Sequence, residues 1–280
     1  MKKWITYYLV LALIVAAMPF VAKSTVASDS ELTVSVCFSG GNIESVPIEE
    51  YVLRALAARE DEVCSLEAKK AFAVAVRSIG MYFFTFGCKH VGFDCCDDGE
   101  CCVALAPKEN AGEKTKNAVR ETVGQYLELE NAPAMALFTL CASSGTRQCG
   151  EFDYLVPVSS GERCLVHKTE RDLTAKEVFA IFPEAARELK FYAVYGEDSK
   201  LSFAILGNKQ IDGEVLAAAF KLKSVEIEIT SQEDGIKAVS YGVGQGYGLD
   251  LCNAEKMAKG GAYYQKILEF YFPNLKLKRQ

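Results

Sequence analysis

The 280-residue chain lacks positive charge to spare: 31 lysines and arginines stand against 37 aspartates and glutamates, a net charge of -6. With a pI near 5.2 there is no basic stripe to neutralise phosphates, which excludes nucleic acid as a partner. No internal repeat or low-complexity linker interrupts the sequence, so one intertwined domain is expected rather than two. After residue 27 no apolar run is long enough to span a bilayer. Histidines number only two, His90 and His167. Both lie in polar segments and read as an exposed loop residue and a surface residue. Glycines 242, 244, 246 and 248 alternate, but the strand, G-x-G-x-x-G turn and downstream acid of a dinucleotide site are missing. Nucleotide binding is therefore excluded, and alternate glycines instead let a backbone approach a ligand or another strand closely.

What is present begins with Lys2 and Lys3 ahead of an apolar run over residues 5–21, the pattern of an export signal. Residues 25–27 offer a cleavage site, yet the run is nearly long enough to stay in the membrane. Residues 1–27 are expected to be a signal peptide or, preferentially, a membrane anchor, with the remaining chain outside the cytoplasm. Eleven cysteines are many for an exported chain of this size. Cys95, Cys96, Cys101 and Cys102 crowd one loop, while Cys141 and Cys149 lie eight residues apart. In an oxidising compartment such a set points to disulfides, with a metal site as the alternative, and the odd total leaves at least one thiol over.

Period-two alternation predicts strands at residues 31–38, 191–196, 201–206 and 224–230. Helical spacing covers 114–124, 174–182 and 212–220, and 254–258 with 263–272 as a last helix. Residues 125–129 and 135–140 read as a hairpin across 131–133, leading into the small polar loop 141–150, which suits an active-site edge. The class is α+β with mostly antiparallel strands. At its centre, residues 46–82 read as two helices with an acidic break. Ser45, Pro47, Glu49 and Glu50 mark the start of the first, and Ser65 with Glu67 the start of the second. The second is alanine-rich, apolar on most sides and expected to be buried. Lys70 and Arg77 nevertheless sit on nearly the same face of it, about 10 Å apart. Buried cations need a carboxylate, a carbonyl or a ligand to face, so they are either structural salt bridges or part of a site.

Taken in order, these pieces resemble the stage II sporulation protein D family. Residues 48–61 match its acidic pair followed by Y-V-x-G-V-V-A-x-E-M-P. Residues 66–78 match its L-E-A-L-K-A-Q-A-V-A-A-R-T, with Lys70 and Arg77 in register. Further matches are residues 101–104, 118–127, the S-G pair Ser144 and Gly145, 211–224 and 257–273, so the resemblance covers residues 31–277. It implies a peptidoglycan lytic transglycosylase acting during engulfment in sporulation. In that chemistry one glutamate protonates the glycosidic oxygen between N-acetylmuramic acid and N-acetylglucosamine. The same group then takes the 6-hydroxyl proton as a 1,6-anhydro ring closes. Such an acid needs a pKa raised by apolar surroundings, and donors nearby. The resemblance assigns the donor role to Lys70 and Arg77, and substrate contacts to Ser143, Ser144, Gly244, Gln245 and Gly246. No cofactor is required, and the implied partners are glycan strands, other cell-wall hydrolases and the membrane.

The chain departs from this pattern at its centre. The position of the acid, counted from Tyr51 or from Leu66, holds Arg59, which cannot give up a proton. Glu60 is its neighbour. Two readings stay open: cleavage by Glu60, or a catalytically degenerate module that holds glycan or positions a partner hydrolase. Phe72 replaces the family glutamine, Cys141 the histidine that opens the serine loop, and Gly244-Gln245-Gly246 the closing G-H-G. Some clostridial relatives carry zinc at this loop. That implies Cys141 and Cys149 as thiolate ligands, completed by Cys101 or Cys102, with a Cys141 to Cys149 disulfide as the alternative.

Overall fold

The computed structural model describes residues 32–99, 101–161, 163–183, 191–196, 200–206 and 209–280. The expected signal or anchor at residues 1–27 lies outside them. Residues 33–280 form a compact α+β unit, whose described part holds seven α-helices and several small sheets. None of these helices is long and apolar enough to cross a membrane.

The alternating strand β1 (Thr33–Cys37) turns Val34 and Val36 into the core. It pairs antiparallel with β2 (Ile43–Pro47) and parallel with the two-residue β3 (Cys95–Cys96), which ties the cysteine loop to the body of the protein. Helix α1 (Ile48–Ala57) follows β2 without a connecting residue, capped at Pro47, with Glu49 and Glu50 in its first turn. Ser45 does not cap it. That residue lies inside β2 opposite Ser35, because the strand continues up to the proline.

Helix α2 (Leu66–Phe86) is the axis of the molecule. Fourteen of its residues are buried, among them Lys69, Arg77 and Ser78. Helix α1 lies close against it because Gly80 has no side chain: a Cβ there would stand 2.7 Å from Ile48 Cδ1. Around the remaining sides pack α3 (Glu113–Glu121), α6 (Leu251–Lys259), α7 (Tyr264–Tyr271) and strand β4 (Gln125–Leu129). The terminal helical pattern is two helices rather than one, separated at Gly260 and Gly261, the latter with φ +91°.

The expected hairpin over 125–140 is a different arrangement. Strand β4 pairs with β5 (Ala132–Pro133) and, on its other edge, with β14 (Lys276–Arg279). The second half of the apolar run instead forms β6 (Phe138–Thr139), parallel to β13 (Leu249–Asp250). Local alternation fixes which residues are extended but not which edge they join. A second core lies under the strands β7 (Lys168–Thr174), β11 (Glu226–Gln232) and β12 (Gly235–Tyr241), and β8 (Phe191–Tyr195), β9 (Leu201–Leu206) and β10 (Lys209–Asp212). Helices α4 (Ala175–Ile181) and α5 (Gly213–Ala219) cover it through Val178, Leu216 and Ala217.

Arg77 shows why so polar a residue tolerates this burial. Its guanidinium, 1% exposed, makes a two-pronged pair with Glu49 of α1, at 2.8 Å from Nε and 2.6 Å from Nη2. Another nitrogen donates to the carbonyl of Gln125 at 2.9 Å. Glu49 in turn accepts the Gly124 amide at 3.1 Å. Removing one member of a buried pair leaves the other charge uncompensated. Glu49→Ala is expected to lower the unfolding free energy by about 3 kcal/mol, measured as a drop in the urea midpoint with an unchanged slope. A shift close to zero would show that Arg77 finds another anion.

Candidate functional site

The turn between α1 and α2 carries Arg59 and Glu60, the residues that the resemblance singles out. Val63 anchors it in the core at 1% exposure, while Arg59 points outward and meets Glu62 at 3.5 Å. Glu60, nearly as exposed, turns toward α2 and Thr115. One carboxylate oxygen accepts from Thr115 Oγ1 at 2.5 Å and the other lies 3.1 Å from Lys69 Nζ. The Gly112 amide at the start of α3 donates to the same group. Lys69 also donates to Thr115 at 2.8 Å, and both are buried. Burial alone would raise the Glu60 pKa, but the Thr115 hydroxyl, the Lys69 ammonium and the Gly112 amide together hold it below its usual value of 4.5. Glu60 is thus kept ionised.

Lys70 and Arg77 lie on the helix as the spacing implied, and each is occupied. Lys70 sits 2.7 Å from both Glu67 and Glu121, and these pairs hold its pKa up against the opposing effect of burial. Arg77 is enclosed by Glu49. The buried cation next to Lys70 was not singled out from the sequence. A third positive residue on an otherwise apolar helix was its one signal.

The serine loop is likewise turned inward. Ser143, with φ +60°, is 2% exposed and accepts the Cys164 amide at 3.3 Å. Ser144 donates from its hydroxyl to Glu226 at 2.8 Å. Glu226, itself 1% exposed, also faces Lys200 and, at 2.7 Å, Arg163. This buried network links the loop to β11, and nothing local in the sequence pairs residues so far apart. On the glycine segment, Gly244 and Gln245 are exposed and Gly246 is buried. Arg147 reaches this segment, donating to the Gln245 carbonyl at 2.7 Å while stacking on Tyr247 at 4.4 Å.

All eleven cysteines are free thiols, so the expected disulfides, Cys141 to Cys149 included, are not formed. Among the described residues five of them converge with the two histidines in two clusters instead. In the first, His90 Nε2 lies 3.1 Å from Cys101 Sγ and 3.5 Å from Cys102 Sγ, the two sulfurs are 3.8 Å apart, and Cys96 joins them. A tetrahedral zinc site has sulfur–sulfur edges of about 3.8 Å and sulfur–nitrogen edges of about 3.5 Å, given its usual bond lengths. The donor set and spacing therefore fit zinc. His90 is not the free loop residue expected: its ring stacks on Phe93 at 4.7 Å and turns toward the thiols. The signal was present in the spacing of a histidine six residues ahead of Cys96.

In the second cluster Cys141 meets His167 and Cys252. Cys149 is not among them; it is buried elsewhere with its amide bonded to Leu155 at 3.3 Å. The expected ligand set of Cys141 and Cys149 with Cys101 or Cys102 is therefore not brought together, because the two loops close on different partners. Nor is His167 a surface residue. It is half-buried, with its Nε2 3.5 Å from Cys252 Sγ.

Comparison with known proteins agrees with the central motifs. Residues 39–128 match the family described as Stage II sporulation protein. The chain is 22% identical over 254 residues to stage II sporulation protein D of Bacillus subtilis (strain 168), covering 82% of this chain and 74% of that protein. It is 22% identical over 259 residues to stage II sporulation protein D of Bacillus amyloliquefaciens, covering 84% and 75% respectively.

The state of Glu60 has a measurable consequence. Its folded pKa lies below the unfolded value, so its stabilising contribution is complete above pH 4.5 and is lost as pH falls through the folded pKa. Glu60→Gln is expected to cost about 2 kcal/mol near neutral pH, with the gap to wild type narrowing on acidification. Urea unfolding of both proteins across that range checks it. A gap that widens in acid would mean that Glu60 is protonated in the folded protein.

Proposed function

We propose that the chain, a stage II sporulation protein D homologue, works outside the cytoplasm as a wall-glycan-binding protein that holds strands without cutting them. The observation that carries this reading is the Glu60 carboxylate, clamped in its charged form by Lys69 and Thr115. A general acid must carry a proton at working pH, which requires apolar surroundings or a like charge rather than an ammonium 3.1 Å away. Arg59, at the position of the family acid, has no proton to give. Lys70 and Arg77, the groups that would support developing charge, are committed to Glu67, Glu121 and Glu49.

Glycan contact on this reading falls to the exposed Gly244 and Gln245, where backbone and an amide side chain offer hydrogen bonds suited to sugar hydroxyls, on a segment held in place by Arg147, itself paired with Glu214. The first thiol cluster holds one structural zinc through His90, Cys96, Cys101 and Cys102. The metal closes the cysteine loop on itself beside β3, which pairs with β1, and its thiolates are withdrawn from oxidation in an exported protein.

Purified protein incubated with denuded glycan strands is expected to sediment with them yet leave no 1,6-anhydro-muramic ends by mass spectrometry. Arg59→Glu restores the family acid and is the variant in which such ends are expected. Anhydro ends from wild type that vanish in Glu60→Gln would overturn the reading in favour of a transglycosylase. For the metal, His90→Ala is expected to lower bound zinc by one equivalent in anaerobically prepared protein, and unchanged zinc would remove that assignment.

A further inference from the structure

A cavity of about 400 Å³ opens above Ile227 of the second core, lined by Arg163, Tyr195, Gly196, Ile227 and Glu228. Its volume falls within the roughly 300–1,000 Å³ of small-ligand sites. None of these residues belongs to the thiol clusters or to the turn that carries Glu60.

Tyr195 lines the cavity because β8 departs from alternation at its end. Phe191 and Ala193 pack against the core, and a strict period of two would send Tyr195 after them. A bulge between Val194 and Tyr195 shifts the register against β9, and the ring is 44% exposed instead. The backbone amide of Ile229 donates to its hydroxyl. The ring is therefore a fixed aromatic wall rather than a loose surface side chain.

The charged groups of the cavity already balance one another. Arg163 lies 4.3 Å above the Tyr241 ring, with its Nε 2.7 Å from Glu226 and its Nη1 2.5 Å from Glu228. Glu228 also accepts from the Tyr241 hydroxyl at 3.1 Å. An anion entering here would meet two carboxylates and a cation would meet a guanidinium, so neither is favoured. What remains is an aromatic face, the apolar Ile227 and a rim of hydrogen-bonding groups. Nη2 of Arg163 has no partner among the described residues, and the Glu228 carboxylate keeps lone pairs with which to accept. A neutral ring with an apolar face and hydroxyls around its edge satisfies all three, and a pyranose is such a ring.

We propose that this cavity is a sugar subsite that takes one neutral pyranose of the wall glycan, with its C–H face on Tyr195 and its hydroxyls on Arg163 and Glu228. N-acetylglucosamine is the unit of that strand without a carboxyl group. The subsite rests on the glycan-binding reading above and extends it to a second place on the surface. Tyr241, beneath Arg163, precedes Gly244 by three residues, a span of at most about 11 Å. A strand contacting Gly244 and Gln245 therefore has the cavity within reach of a neighbouring unit.

The test is binding of the N-acetylglucosamine trisaccharide to the full chain by calorimetry, with sedimentation on denuded glycan strands alongside. Tyr195→Ala is expected to weaken trisaccharide binding about tenfold, and Tyr195→Phe, which keeps the ring, to restore most of it. Iodination of the wild type followed by mass-spectrometric mapping reads the site without any substitution. The trisaccharide is expected to protect Tyr195 and to leave the exposed Tyr263 labelled. With wild type bound to strands, equal labelling of Tyr195 in the presence and absence of trisaccharide overturns the subsite and leaves glycan binding standing. Tyr195→Ala that binds like wild type while Gln245→Ala releases the strands has the same meaning. Wild type that neither sediments with strands nor binds the trisaccharide overturns both.

Discussion

A cation inside a protein must meet an anion, and α2 carries three cations that the fold had to answer. Lys69 is met by Glu60 from the preceding turn, Lys70 by Glu67 and by Glu121 of α3, and Arg77 by Glu49 of α1. The desolvation cost of such charges is recovered only where geometry is good and spare hydrogen-bonding groups are filled. Here the spare groups are backbone: the Gln125 carbonyl for Arg77, the Gly124 amide for Glu49 and the Gly112 amide for Glu60. Each pair therefore fixes a neighbouring element as well as a charge, and α1, α3 and β4 take their places around α2 accordingly.

The same pairing decides the chemistry. An enzyme that protonates a glycosidic oxygen keeps a carboxyl neutral by surrounding it with apolar groups. In this chain the nearest carboxyl has been recruited into the scaffold, where an ammonium and a hydroxyl stabilise its charge. Arg59, beside it in the same turn, has no proton to give.

The thiols follow a related logic. Eleven cysteines in a chain expected outside the cytoplasm would be read as cross-links, but a disulfide joins two side chains, whereas five of these meet a histidine, three at His90 and two at His167. A metal joins four. The cysteine loop around His90 is closed on itself, while the group around Cys141 spans more than a hundred residues of chain and connects both cores.

Much of this was legible in sequence because it is local. The buried α2 followed from alanine-rich apolar periodicity, the strand β1 from alternation, and the α+β class from the order of elements. Arg59 at the position of the acid needed only counting. What the sequence could not decide is which distant groups meet. The run after β4 joined β13 rather than folding back, because strand pairing is chosen by edges that local alternation does not encode. Ser45 was drawn into β2 by the strand opposite it. Lys69 rather than Lys70 became the fully buried lysine of α2, and His167 met Cys252 across 85 residues. The sequence determined the elements and the missing acid, since those depend on neighbours within a few residues. The tertiary structure alone decided the charge on Glu60 and the grouping of the thiols, because both depend on side chains brought within a few ångströms by long-range packing.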